Sequence, residues 1–314
     1  MKRKNIFILM ICLVVLSLWA CKKEEANKGT GENQETEKGK VENSWDIEQY
    51  ESIEDIISIE KLALEKTMPE GIEVSTYKVR YKSDDCEVVS YLSVPNECIE
   101  KKESYPCIIY NRGGNREYGA NQPEYITYLA ETFGKIVFAT QYRGVDGGTG
   151  REEFGGADLN DVLKLIDFCE EFAFVDMDQL YMMGISRGGM MTYMAAREDS
   201  RIKKAVVISG LADAFMSYEE RNDMQTVFKE LVKATPKTNP TEYEKRSATY
   251  WADEIKCPIL IIHSKLDESV SFGQAEKMVQ ELEKAGKEYK FVSYEDNVHG
   301  GRAEDMQIIL EWCK

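Results

Sequence analysis

The sequence predicts an α/β fold in which a mostly parallel sheet of eight strands is covered by helices on both faces. Three observations predict it. Short Val/Ile-rich runs alternate with amphipathic helical segments from about residue 106 onward. A glycine-framed serine sits between one such run and one such helix. The alternation is interrupted at residues 211–255, after the sixth strand candidate, by helical and turn-like sequence that reads as an inserted lid.

At the N-terminus, Lys2, Arg3 and Lys4 precede an apolar run over residues 6–19 that ends in Ala20 and Cys21. The run falls short of the about 20 residues a spanning helix needs, and its basic flank is that of a secretory signal. Leu18-Trp19-Ala20-Cys21 resembles a bacterial lipobox. That resemblance implies removal of residues 1–20, a lipidated Cys21, and a protein held at the extracytoplasmic face of the cell membrane by its lipid alone. Residues 21–44 are Lys, Glu, Gly, Asn and Thr with almost no apolar side chain, a composition expected to form a disordered tether. The body then runs over 45–314.

Helical spacing of Ile53, Ile56, Ile57, Ile59, Leu62 and Leu64 predicts a helix over 45–66. Strands are expected at 72–81 and 87–94, joined by the polar turn Lys82-Ser83-Asp84-Asp85. Further strands are expected at 106–110, 135–139, 179–183, 204–209, 258–263 and 288–293. Helices are expected at 123–133, 157–172, 188–197, 273–285 and 302–312. Leu159, Val162, Leu163 and Ile166 form one stripe of the second of these.

A formal net charge of −16 argues against nucleic-acid binding, which needs clustered Lys and Arg to neutralise phosphates. Of eight cysteines, six lie in the body, with no CxxC pair. Export permits disulfides, yet Cys107 and Cys257 open apolar strands, where a free thiol acts as a small hydrophobe. With two histidines in the chain and no ligand spacing, no metal site is expected.

The chemistry centres on Gly184-Ile185-Ser186-Arg187-Gly188-Gly189, which follows an apolar strand and opens a helix. This is the context of a nucleophile elbow and assigns the chain to the α/β-hydrolase fold. A serine needs a base, and in this fold the acid and the histidine follow it in sequence. His299 lies between the last strand and the last helix, and Asp267 in the loop after the seventh strand; Glu268 and Asp296 are the alternative acids. His263 ends the seventh strand upstream of the acid and is read as structural. The oxyanion donors expected are the N–H of Arg187 and that of Arg112 or Gly113, in the paired-glycine loop after the third strand. The side chains of Arg112 and Arg187 could also receive a substrate carboxylate, but the favoured reading is that they point to solvent or pair with the many acidic residues.

These segments, with Tyr110-Asn111-Arg112-Gly113-Gly114 and the run from Gln141-Tyr142-Arg143-Gly144 to Gly155-Gly156-Ala157-Asp158, resemble the catalytic domain of the prolyl oligopeptidase family of serine peptidases. The resemblance spans roughly residue 77 to the C-terminus. It implies a serine hydrolase in which Ser186, Asp267 and His299 form the triad and no cofactor takes part, and it marks Arg143 as structural. Two departures stand out. Ser264 occupies a place usually held by Gly, and no repeat period suggests the β-propeller that family peptidases carry. The resemblance makes hydrolysis of a short peptide the expected activity, whereas the departures speak against proline specificity and the absent propeller favours small esters. The alternative is a carboxylesterase acting on small or sugar esters, such as acetylated or feruloylated sugars. A non-catalytic surface binding protein is the distant third reading, and it is disfavoured because the triad is intact.

Overall fold

The computed structural model describes residues 45–68 and 70–314. The expected signal peptide, Cys21 and the tether lie outside the described residues. In chain order, a 3-10 turn at Ile47–Ser52 leads into β1 (Ile56–Lys61), β2 (Val74–Ser83), β3 (Cys86–Pro95), α1 (Asn96–Lys101) and β4 (Tyr105–Asn111). Next come α2 (Pro123–Phe133), β5 (Ile136–Thr140), α3 (Leu159–Glu171), β6 (Val175–Ile185), α4 (Arg187–Glu198) and β7 (Lys204–Ile208). The insertion holds α5 (Ala214–Glu220), α6 (Asn222–Leu231) and α7 (Pro240–Glu244); β8 (Ile259–Ser264), α8 (Phe272–Lys284), β9 (Tyr289–Tyr294) and α9 (Ala303–Trp312) complete the chain.

The strands form one sheet in the order β1-β2-β3-β5-β4-β6-β7-β8-β9, antiparallel from β1 to β5 and parallel from β5 to β9. Among the described residues nine strands replace the eight expected, and the extra one corrects the N-terminal helix. β1 carries a register shift between Ile56 and Ser58. The bulged residue, Ile57, puts buried Ile56 and Ile59 three positions apart, so a bulged strand imitates helical spacing.

Burial on both faces explains why the central strands read as continuous apolar runs. Cys107 and Ile109 enter one core with α3, α4 and α8, whereas Ile108 and Tyr110 enter the other with α2 and α9. Ala205 and Val207 divide from Val206 and Ile208 in the same way. Each large apolar side chain withdrawn here contributes about 1.5–3 kcal/mol. The six described cysteines are free thiols, and Cys107 and Cys257 are buried among apolar groups.

Residues 211–255 pack as a unit between β7 and β8. The ring of Tyr243 meets those of Phe215, Tyr218 and Phe228 at 5.4, 5.6 and 5.0 Å, and Phe228 and Leu231 are buried. Asp213 caps α5 by accepting the N–H groups of Phe215 and Met216, and Gln274 of α8 accepts those of Ala212 and Asp213.

Candidate active site

The carboxyl ends of the parallel strands converge on Ser186. This residue has φ 58° and ψ −121°, a left-handed conformation that costs a non-glycine residue about 1–3 kcal/mol. The surroundings hold it there. The Ser186 N–H donates to the Ile208 carbonyl at 3.0 Å, and its own carbonyl accepts from Gly189 at 2.9 Å and Leu211 at 3.1 Å. Gly188 is required by close approach, since a Cβ there would lie 1.9 Å from the Asn111 carbonyl oxygen. The hydroxyl thus stands at the start of α4, where the first N–H groups of a helix have no intrahelical acceptor.

The loops after β8 and β9 bring Asp267 and His299 together. His299 Nδ1 lies 2.8 Å from Asp267 Oδ2, so this nitrogen carries the proton and Nε2 is the basic one. The other carboxylate oxygen, Oδ1, accepts the N–H groups of Ser269 at 2.8 Å and Val270 at 3.0 Å. Burial works to raise the Asp267 carboxyl, but the hydrogen bonds from His299, Val270 and Ser269 outweigh it and hold the group below its ordinary value. His263 lies behind this turn, buried, with Nε2 2.9 Å from the Val270 carbonyl and 3.6 Å from Asp267. Burial pulls its pKa down, as suits a neutral structural imidazole. Glu268 is exposed and Asp296 pairs with Arg302, so neither alternative acid reaches His299 in place of Asp267.

Gly113 brings the loop after β4 against Ser186. A Cβ on it would lie 3.2 Å from Ser186 Cβ and 3.1 Å from the Ile185 carbonyl oxygen. Tyr142 Oη donates to the Arg112 carbonyl at 3.2 Å and fixes the Arg112–Gly113 peptide, whose N–H points the opposite way. The Arg112 side chain threads its own loop. Its guanidinium donates to the carbonyls of Gln141 at 3.0 Å, Gly113 at 3.1 Å, Tyr118 at 3.3 Å and Arg116 at 2.8 Å.

Neither arginine side chain is placed to receive substrate, which corrects that expectation. Arg112 is 1% and Arg187 2% exposed. Arg187 pairs with Glu152 at 2.6 Å and with Asp158, and both guanidinium groups lie on the Tyr142 ring, 5.0 and 4.6 Å from its centroid. Two buried cations face two buried carboxylates, and Glu152 also accepts the Arg116 N–H. Asp158 further accepts the N–H groups of Gly155 and Gly156, which accounts for the Gly-Gly-Ala-Asp segment. Arg143 pairs with Asp161 at 2.7 Å and Asp84 at 2.8 Å, a structural role. Sequence reasoning missed Glu152, because no spacing ties it to Arg187.

Ser186, Gly113 and His299 line one cavity of about 670 Å³, within the usual size of a small-molecule site. Its apolar lining includes Tyr118, Phe154, Ile185 and Val270, with Leu211, Met224 and Val227 contributed by the insertion. Arg221 of the insertion reaches the acid loop, donating to the Ser269 carbonyl at 2.5 Å.

The model of the prolyl oligopeptidase family matches residues 122–313. The uncharacterized peptidase YtmA of Bacillus subtilis (strain 168) is 31% identical over 227 residues, which cover 72% of this chain and 86% of that protein. Dipeptidyl-peptidase 5 of Porphyromonas gingivalis is 24% identical over 76% of this chain but 36% of its own length. Among solved structures, the acylaminoacyl peptidase of Pyrococcus horikoshii superposes with a TM-score of 0.67 at 24% identity, over 78% of this chain and 42% of that one. Acetyl xylan esterase 1 from Thermoanaerobacterium sp. superposes at 0.62 and 15% identity, over 83% of this chain and 88% of the esterase.

Proposed function

The chain belongs to the prolyl oligopeptidase family, and on that premise we propose that it is a serine peptidase that cleaves short peptides through an acyl-enzyme on Ser186. The observation that carries this reading is the convergence in one cavity of a strained serine, a glycine loop and a histidine whose far nitrogen is held by a buried carboxylate.

The mechanism follows from those positions. Ser186 Oγ attacks the substrate carbonyl carbon while His299 Nε2 takes its proton. Asp267 stays ionised, fixes the tautomer and stabilises the imidazolium. The N–H groups of Arg187 and Gly113 hold the oxyanion as the tetrahedral intermediate forms. His299 then gives its proton to the leaving amine, and water, activated in the same way, releases the acid. The apolar part of the wall suits an uncharged side chain beside the scissile bond, while Arg221 and Asp223 line the same cavity. Residues 211–255 act as a lid, since Leu211, Met224 and Val227 form part of that wall.

The test is fluorophosphonate labelling of the full chain and of Ser186→Ala, followed by assays on p-nitrophenyl acetate and a Gly-Pro anilide. Labelling that disappears in the variant, with turnover of the anilide, supports the reading. Turnover of the acetate alone moves the substrate to esters. A folded wild-type protein that takes no label leaves the non-catalytic binding protein as the surviving reading.

We also infer from Lys2 to Cys21 that the protein is lipid-anchored at Cys21 on the extracytoplasmic face of the membrane. Metabolic labelling with a palmitate analogue should tag the wild type and not Cys21→Ser; equal labelling of both would remove the anchor.

A further inference from the structure

Ser264, the departure from the family pattern, sits at the end of β8 and is fully buried. Its hydroxyl is used. Oγ donates to the Val298 carbonyl at 2.6 Å, and that carbonyl belongs to the peptide leading into His299. Arg302 Nη2 in turn donates to Ser264 Oγ, so the hydroxyl accepts from a cation while it donates to the loop. A hydroxyl has the donor and lone pairs for both bonds at once, and a glycine has neither.

Arg302 is itself held on three sides. It bonds Asp296 through Nη2 at 2.5 Å and Nε at 3.2 Å, lies over the Tyr294 ring at 4.1 Å, and takes its backbone position from Asp305. The hydrogen bond from Arg302 holds the Asp296 carboxyl down to about 2, and Asp296 also accepts the Val298 N–H at 3.2 Å. On the other side of the histidine, the Gly300 N–H donates to Ser209 Oγ at 3.1 Å. Both peptides flanking His299 are therefore pinned from outside the loop. The loop needs such pins, because Asn297, Val298 and His299 are exposed and bury little apolar surface that would order them.

We propose that Ser264, backed by Arg302, is a positioning residue that fixes the Val298–His299 peptide and so keeps the imidazole between Asp267 and Ser186. The proposal rests on the assignment of His299 as the base. It predicts an effect on the chemical step rather than on binding, since neither Ser264 nor Arg302 is among the residues that line the cavity.

The test compares Ser264→Ala, Ser264→Thr and Arg302→Met with the wild type, each as the full chain, on whichever substrate the wild type turns over. A base displaced by a fraction of an ångström to an ångström costs about ten- to a hundred-fold in rate. Ser264→Ala should lose that much in kcat with KM nearly unchanged and the thermal midpoint little moved. Ser264→Thr, which keeps the hydroxyl, should recover most of the loss, and Arg302→Met should reproduce the alanine phenotype. The chain has two histidines, so imidazole NMR offers a second readout that does not depend on turnover. The His299 Nδ1–H resonance should shift and exchange faster in Ser264→Ala, while that of His263 stays in place. Wild-type kcat in Ser264→Ala with an unmoved His299 resonance would overturn the positioning role. So would a threonine variant as slow as the alanine one yet equally well folded. If Ser264→Ala fails to fold, Arg302→Met and the threonine variant decide between the same outcomes. An unlabelled, inactive wild type would instead strike the assignment of Ser186 and His299, so the two failures are distinct.

Discussion

Replacing Glu152 with Gln should both loosen the fold and slow the reaction. Glu152 is 3% exposed and stands between two buried guanidinium groups, 2.6 Å from Arg187 Nη1 and 3.6 Å from Arg112 Nη2. The amide keeps an acceptor for the Arg116 N–H but removes the charge. Two buried cations are then left with one carboxylate, Asp158, which touches Arg187. Breaking a buried ion pair by removing one partner costs about 3–5 kcal/mol. The lower end applies, because Arg112 keeps its four carbonyl acceptors. For a body of this size, about 3 kcal/mol corresponds to a fall of roughly 6–12 °C in thermal midpoint. The loop that presents Gly113 is anchored through the same carboxylate, so kcat should fall about ten-fold or more in the fraction that remains folded. The assay is a thermal melt paired with the rate of fluorophosphonate labelling, with exposed Glu117→Gln as the control, expected within about 0.5 kcal/mol of wild type. A Glu152→Gln protein that melts with the wild type would refute the view that this carboxylate balances the two arginines.

Gly113→Ala should retain a folded body but lose about a hundred-fold in kcat, because its Cβ would press to within 3.2 Å of Ser186 Cβ and displace the donor; a labelling rate near wild type would place the oxyanion elsewhere. Asp267→Asn should reduce kcat by about 10⁴ by favouring the wrong imidazole tautomer, read from turnover at saturating substrate. The same carboxyl should shape acid stability. Its folded value lies below its unfolded one, so its stabilisation is complete above the ordinary carboxylate range near 4 and is lost as pH falls through the lowered value. Thermal midpoints between about pH 5 and 3 should therefore decline more steeply in wild type than in Asp267→Asn.

The alternation of elements, the strand–turn–helix setting of Ser186 and the loops that bring Asp267 and His299 to it are legible along the chain. Each is a local pattern: period, a glycine where the backbone must approach closely, or a loop after a given strand. The boundaries of α2 agree to the residue, because Pro123 opens that helix and Gly134 closes it in a left-handed conformation. The N-terminal segment was misread for an equally local reason, since the bulge at Ile57 converts strand alternation into a spacing of three.

What the tertiary structure alone decided are contacts between residues far apart in sequence. Border positions in the chain leave Arg112 and Arg187 open to substrate binding or to pairing with acidic residues, and the packing buries them against carboxylates at 152 and 158. Ser264 looks like a substitution at a glycine position and turns out to reach a carbonyl 34 residues away. Residue type and local turn geometry limit what each element can present, so the order of residues along the chain already limits which chemistry can be assembled. Which charges are matched, which peptide N–H faces Ser186 and what steadies His299 depend on the packing of separate loops at the carboxyl ends of the sheet. Sequence spacing carries no record of that packing.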